Sequence, residues 1–249
     1  VVLAARGVTR SFGGVPPRGV FDVDLTLRGG EFVALLGPSG AGKTTLLRLL
    51  AGLEAPQAGS VLRDGRAQLR SRRGDTTVGL VFQQPRLIGR LTVLDNVLAG
   101  RLGHLPRWRG LLKRFGADDE RIAFEALAKV GLLERAAERT DRLSGGEQQR
   151  IAIARALAQQ PLALLADEPV ASLDPGNAAR VLDTLRALAD EGLAVLCSLH
   201  QPALAQRYAD RVVALAEGRV RAEHSSARLD AQALATLYGA PQLTPASRV

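Results

Sequence analysis

Apolar residues along the chain fall into short runs, parted by turns rich in glycine and proline. Phe21, Val23, Leu25 and Leu27 alternate with Asp22, Asp24 and Thr26, the period of a strand with one buried and one wet face. Val1 to Thr9 also reads as a strand, and Gly13-Gly14-Val15-Pro16-Pro17 as the turn between the two. Phe32-Val33-Ala34-Leu35-Leu36 and Ala194-Val195-Leu196-Cys197-Ser198 are unbroken apolar runs of strand length, which suits burial on both faces. Pro161 to Pro169 holds an apolar strand that ends in carboxylates. Ser60 to Arg63, Val78 to Phe82, and the pair Arg211 to Leu215 and Val220 to Glu223 complete the predicted strands.

Helices are predicted over Thr45 to Ala51, ended by Gly52, and over Thr92 to Gly100. Another runs from Asp118, as an Asp N-cap, to Gly131. Ser144 and Glu147 have capping-box spacing, so Ser144 should start a helix that reaches about Gln159. Asp174 as N-cap and Pro175 at the first position start a helix that runs to about Glu191 and stops at Gly192. A short helix, Leu229 to Tyr238, precedes a loose tail, so 229–249 stands apart from a single domain over 1–228. From about 85 to 141 no strand is predicted. That stretch reads as a mostly helical insertion in an α/β domain.

Composition sets the bounds. The 249 residues suffice for one large α/β domain or two small ones, and 46% are hydrophobic, ordinary for a globular chain. No apolar run approaches the ~18 residues of a membrane span. Val1 to Arg10 lacks the charged start and apolar stretch of a secretory signal, and the absence of Met suggests a trimmed start. Cys197 is the only cysteine, which excludes an internal disulfide and fits a reducing compartment. The net charge of +8 calls for an anionic neighbour: nucleotide, nucleic acid or membrane surface. Arg63 to Arg90 carries seven arginines against two aspartates and reads as a solvated basic face.

The candidate chemistry narrows this choice. Gly37-Pro38-Ser39-Gly40-Ala41-Gly42-Lys43-Thr44 matches the phosphate-binding loop pattern, with a strand before it and a helix beginning at Thr45 after it. Its glycines let backbone N–H groups curl round an anion where a Cβ would intrude, and the helix start adds unpaired N–H groups. Lys43 would reach the β- and γ-phosphates, and Thr44 would hold Mg²⁺. Asp167 is the partner carboxylate for Mg²⁺, and Glu168 beside it is suited to polarise an attacking water. Gln83, at a strand end, has the reach to a bound Mg²⁺ or water. The helix start at Ser144-Gly145-Gly146-Glu147 is a second anion site or simply a well-capped helix. His200 follows the end of a strand, where catalytic and structural histidines both occur. Phe12 would stack on an adenine ring or fill the edge of a core. Arg101 to Phe115 holds five Lys/Arg, no acid and the only Trp, Trp108. It is either a partner-docking or membrane-proximal surface, or a solvated loop with Trp108 turned inward.

Taken in order, these motifs resemble the nucleotide-binding subunits of ABC transporters, over about Val2 to Val220. Gly37 to Thr44 resembles the Walker A loop, Gln83 the Q-loop glutamine, and Leu143 to Glu147 the family signature with Glu in place of the commoner Gln. Ala163 to Asp167 is similar to the Walker B strand, Glu168 to the catalytic glutamate, Ser172-Leu173-Asp174 to the D-loop and His200 to the switch histidine. Phe12 then resembles the adenine-stacking aromatic. The resemblance implies a P-loop NTPase (RecA-like) core with an N-terminal antiparallel β subdomain and an inserted α-helical subdomain. It implies ATP and Mg²⁺ as ligands. It also implies a head-to-tail, ATP-dependent homodimer, with each ATP between the Walker motifs of one subunit and Ser144 of the other. Integral-membrane permease subunits would be direct partners, a solute-binding protein an indirect one, and nucleic acid none. The expected place is peripheral, on the cytoplasmic face of the inner membrane.

Ala99 to Gly103, Pro106 to Arg109, Leu165 to Pro175 and Ser198 to Gln201 are similar to the ATPase subunits of phosphonate importers. Two other classes compete. A soluble ABC ATPase acting on nucleic acid would suit the charge, but it usually carries two cassettes or a long coiled coil. A small-molecule P-loop kinase has no role for the signature or for His200. Salt-dependent duplex binding would favour the first, and transfer of phosphate to an acceptor other than water the second.

Overall fold

The computed structural model describes residues 1–14, 18–68, 76–105 and 115–225. The predicted helix over 229–238 and most of the basic segment, Trp108 included, lie outside them. Two sheets organise the chain. The first is antiparallel, made of β1 (Leu3–Ser11), β2 (Gly19–Leu27), β4 (Ala58–Arg63) and β5 (Arg66–Gln68) in the order β2-β1-β4-β5. The second contains β3 (Phe32–Leu36), β6 (Val78–Val81), β7 (Ala163–Ala166), β8 (Ala194–Ser198), β9 (Arg211–Ala216) and β10 (Arg219–Ser225). Its order is β10-β9-β3-β8-β7-β6, parallel except for the closing β9–β10 hairpin.

Strand β3 shows why an unbroken apolar run was needed. Its five residues are all fully buried. Phe32, Ala34 and Leu36 face a core shared with helices, among them Leu127, Ile151 and Leu185. Val33 and Leu35 face the other way, onto Leu3, Val23, Leu46 and Leu49. The period of two thus sends alternate side chains into two cores, one on each face. Burial of each large side chain contributes about 1.5–3 kcal/mol.

Helix α1 (Lys43–Leu50) follows the glycine-rich turn and begins two residues earlier than the apolar pattern predicts, at Lys43 itself. Among the described residues between β6 and β7, α2 (Val93–Leu98), a 3-10 turn over Ala99–His104, α3 (Ala117–Lys129) and α4 (Gly145–Leu157) pack against one another. Helix α5 (Pro175–Asp190) and α6 (Pro202–Tyr208) complete the set among the described residues. Helix α6 and strand β5 are too short for periodicity to reveal.

Three expectations are corrected. Helix α3 is capped not by Asp118 but at Gly116, whose N–H donates to Asp119 Oδ2 at 3.1 Å. The helix predicted to reach Gly100 changes to a 3-10 turn after Leu98, where Gly100 lies so close to α4 that a Cβ would stand 2.1 Å from the Arg155 carbonyl oxygen. Nor are the arginines all solvated. Arg63 is 3% exposed and donates to the Leu50 carbonyl at 3.2 Å. Arg101, from the basic segment, is 7% exposed. Its Nε donates to Asp119 Oδ1 at 2.9 Å, and the same guanidinium reaches the Ala158 carbonyl and Gln160 Oε1. Phe115, at the far end of that segment, packs on the core. Both ends of the segment are therefore structural anchors.

Candidate functional site

The parallel register gathers the site. Leu35 pairs with Ser198, Ala166 with Cys197, and Val81 with Ala166, so β3, β8, β7 and β6 end along one edge. The glycine-rich turn leaves β3 there, Asp167 and Glu168 follow β7, His200 follows β8, and Gln83 follows β6. In open α/β sheets this carboxyl edge is where ligands bind.

The turn requires its glycines. A Cβ on Gly37 would lie 2.1 Å from the Leu215 carbonyl oxygen, and one on Gly42 2.6 Å from that of Gly19. Gly42 also sits at φ 104 as the N-cap of α1. Backbone is thereby packed against backbone, and the first N–H groups of α1 stay uncovered by side chains. An open cleft of about 420 Å³ lies over them, lined by Ser39 to Thr45 with Phe12 and Glu168. Phe12 is 53% exposed, which removes the core-edge alternative. A second cleft of about 420 Å³, lined among others by Ile122, Lys129, Leu162 and Leu193, has no such turn.

Two side chains converge on one carboxylate oxygen. Glu168 Oε1 lies 2.5 Å from His200 Nε2 and 3.6 Å from Lys43 Nζ. Lys43 is 5% exposed, and its ammonium also donates to the carbonyls of Gly37 at 2.8 Å and Pro38 at 3.3 Å. Glu168 adopts φ 49, a left-handed conformation that L residues seldom enter and that clusters at functional sites. Its N–H donates to Ser198 Oγ at 2.8 Å, and the Ser198 hydroxyl donates to Asp167 Oδ1 at 3.1 Å. Ser198 is fully buried and holds both carboxylate residues in place. It lies in the stretch Ser198 to Gln201 noted above but was given no role there; the available signal was a hydroxyl ending an otherwise apolar strand. Neighbouring Cys197 is also fully buried, and burial pushes its thiol far above the ordinary range, which makes it inert.

The signature residues stand elsewhere. Ser144, Gly145, Gly146 and Glu147 start α4 and do not line the phosphate-loop cleft. Ser144 is the N-cap. Its Oγ accepts from the Glu147 N–H at 3.3 Å and donates to Glu147 Oε2 at 2.8 Å, while the Ser144 N–H donates to the same oxygen at 2.9 Å. Those bonds hold the Glu147 carboxyl below the usual range, the Ser144 hydroxyl contributing most. Gly146 is packed so closely that a Cβ would lie 2.5 Å from Asn177 Oδ1. Asn177 is itself fixed by the α5 cap, its N–H donating to Asp174 Oδ1 at 3.0 Å.

Helix α4 also holds the Gln83 loop. Gln149, 2% exposed, donates through Nε2 to the Phe82 carbonyl at 3.0 Å. Arg155 donates to the carbonyls of Pro85 at 2.8 Å and Arg86 at 3.0 Å. Sequence reasoning singled out neither residue.

Among the described residues no cluster of three His, Cys, Asp or Glu side chains is arranged for a metal. The residues expected to hold Mg²⁺ offer one carboxylate, Asp167, one hydroxyl, Thr44, and one amide oxygen, Gln83. All-oxygen donors with a single carboxylate fit a Mg²⁺ that keeps waters and phosphate oxygens in its shell.

The fold and cleft define a P-loop nucleotide-binding protein with an inserted helical unit. Comparisons with known proteins refine this. The family model for ABC transporter matches residues 20–171. The hypophosphite import ATP-binding protein HtxD of Stutzerimonas stutzeri is 47% identical over 249 residues, covering 97% of this chain and 72% of its own. The phosphonates import ATP-binding protein PhnC of the same organism is 49% identical over 232 residues, covering 89% and 84%. Among solved structures, a dimeric ATP-binding cassette bound to ADP and Pi superposes with a TM-score of 0.74 at 30% identity, covering 90% and 98%. A putative metal-chelate type ABC transporter in an inward-facing conformation gives 0.80 at 28%, covering 95% and 88%. The chain belongs to the ABC transporter family and has the fold of its ATP-binding cassettes.

Proposed function

We propose that this chain hydrolyses ATP to power an importer of phosphonate or a related phosphorus oxyanion. The observation that carries the ATPase reading is the convergence of Lys43 and His200 on Glu168 Oε1, beside a turn shaped for phosphates. The relatives named for hypophosphite and phosphonate import support the cargo. ATP would lie with its phosphates over Gly37 to Thr45 and its base on Phe12. Glu168 takes a proton from the attacking water, His200 orients the γ-phosphate, and Lys43 neutralises developing charge. Thr44, Asp167 and Gln83 would hold Mg²⁺, which when bound offsets charge on the β- and γ-phosphate oxygens. Ser198 fixes the direction of Asp167 and Glu168.

The same reading assigns a second copy of the chain to the signature. Ser144 and the N–H groups of Gly145 and Gly146 would meet the γ-phosphate held by the partner. The related cassette of known structure is itself dimeric, which supports this arrangement. The helical unit 85–141 would dock on permease subunits at the cytoplasmic membrane face, with a solute-binding protein delivering cargo on the other side. Among the described residues no helix is long and apolar enough to cross a membrane. The test is reconstitution in liposomes with a candidate permease and binding protein. ATP-dependent uptake of a phosphonate or hypophosphite, lost in Lys43→Ala, is expected. ATP hydrolysis that no phosphorus oxyanion stimulates would overturn the cargo assignment.

A further inference from the structure

Phe12 does not stand alone at the edge of the cleft. The Arg10 guanidinium lies over its ring, 5.2 Å from the centroid. Arg10 is next to last in β1, and Phe12 follows directly after the strand ends at Ser11. Arg10 is held in turn. Its Nε faces Glu54 Oε2 at 3.6 Å, and both atoms are buried with no hydrogen-bond partner among the described residues. The other oxygen of Glu54 faces Arg48 at 3.7 Å, and Arg48 lies in the last turn of α1, the helix that begins at Lys43. The intervening backbone is pinned as well. The Ser11 N–H donates to Gln57 Oε1 at 2.8 Å, Gln57 Nε2 donates to the Ser11 carbonyl at 3.3 Å, and the Phe12 N–H donates to the Arg18 carbonyl at 3.0 Å.

We propose that Arg10 is the positioning residue that sets Phe12 as the platform for the nucleotide base, and that Glu54 ties this platform to the phosphate-loop helix. The inference rests on the nucleotide reading above. A half-exposed Phe at a strand end loses rotamer freedom when a base stacks on it. A cation over one face removes that freedom beforehand, so less is lost on binding. The cation also draws on the negative face of the ring, which leaves the opposite face better matched to an electron-rich purine. Arg10 therefore acts on the base and not on the phosphates. Its effect should appear with nucleoside triphosphates and be missing with a bare polyphosphate.

The experiment uses the full chain, with KM and kcat for MgATP and competitive inhibition by inorganic tripolyphosphate. Arg10→Ala should raise the KM for ATP about two- to fivefold, the range of an exposed cation–π contact, with kcat nearly unchanged. Tripolyphosphate inhibition should not move. Arg10→Lys should recover most of the loss. Phe12→Ala should raise KM further, and adding Arg10→Ala to it should change nothing more. An unchanged KM in Arg10→Ala would overturn the proposal. So would an equal rise in the Phe12→Ala background, or a matching loss of tripolyphosphate affinity, which would place the effect in α1. If Phe12→Ala leaves KM unchanged, the base-stacking reading fails along with the proposal; if Phe12→Ala weakens binding and Arg10→Ala does not, the proposal alone fails.

Discussion

The two helix starts proposed to meet phosphate are built on opposite plans. At α1 the surroundings are complete within the chain: Lys43 is buried and ion-paired with Glu168, which contacts His200 and is held by Ser198. At α4 the start is exposed, and its cap is satisfied only by Ser144 and Glu147 bonding each other. No Lys or carboxylate from a strand end accompanies it on the phosphate-loop cleft. The first start can bind a triphosphate with what the chain supplies. The second has the N–H groups but lies outside that cleft, beside a separate hollow lined by Arg135, Glu147 and Arg150, so the phosphate of an ATP seated over α1 would reach it only from another copy. The difference favours shared sites between two copies over one site per chain, and it sets out what should break each half.

The largest effect should come from the complete half. Glu168→Gln keeps the shape of the side chain and removes the proton acceptor, so turnover should fall by about 10²–10⁴-fold while ATP binding persists. Steady-state hydrolysis beside equilibrium nucleotide binding checks this, and wild-type turnover would remove Glu168 as base. Next in size is the open half. Ser144→Arg should abolish ATP-driven dimerisation and most turnover, yet leave the nucleotide affinity of the isolated monomer within about twofold, since the distinction lies in which copy holds the phosphate. Lys43→Ala should instead reduce that monomer affinity strongly. Equal losses in the two variants would merge the two halves into one site.

A smaller effect separates the groups that act from those that hold them. Ser198→Ala removes the hydroxyl between Asp167 and the Glu168 N–H, leaving buried polar groups short of a partner at a cost of about 1–3 kcal/mol. Turnover should fall about tenfold, by a kcat change with KM little altered, and thermal unfolding should shift downward. Unchanged stability and turnover would show that β7 alone places the carboxylates.

Glu168, Ser144, Lys43 and Ser198 also mark how far the sequence could be read. Lys43 and Glu168 were legible because phosphate chemistry demands a fixed spacing or a strand-end carboxylate, and local patterns carry both. Ser144 was legible as a cap, since a capping box is a contact over three residues. Ser198, Gln149 and Arg155 were not, because each acts on a partner about 30 to 70 positions away that only the tertiary fold brings near. The same limit misplaced Arg63 and Arg101. Charge-rich stretches read as solvated until a packed carbonyl or Asp119 is set beside them. The parallel sheet was foreseeable in kind from apolar runs such as β3. Strand β5 and helix α6 were too short to show a period.

The smallest predicted effect bears most directly on the open half. Glu147 places a carboxylate at the start of α4, accepting both the hydroxyl and the N–H of Ser144. This favours the monomer, because a negative charge suits a helix N-terminus. In a head-to-tail dimer the same charge would face the partner's γ-phosphate and oppose it. Glu147→Gln keeps an acceptor of the same reach without the charge. It should therefore tighten ATP-driven dimerisation about two- to fivefold, more at low salt, while leaving monomer ATP affinity unchanged. Stability should respond with the opposite sign. The Glu147 carboxyl titrates below its ordinary 4.5 in the folded chain, so its contribution is fully present above that value and disappears as pH falls through the lower folded value. Glu147→Gln should accordingly be slightly less stable than the parent at neutral pH and converge with it in acid. Sedimentation with ATP at two salt concentrations, beside melting curves at pH 7 and pH 3, measures both signs. Dimerisation that weakens in Glu147→Gln would mean that α4 does not present its start to a phosphate on a second copy.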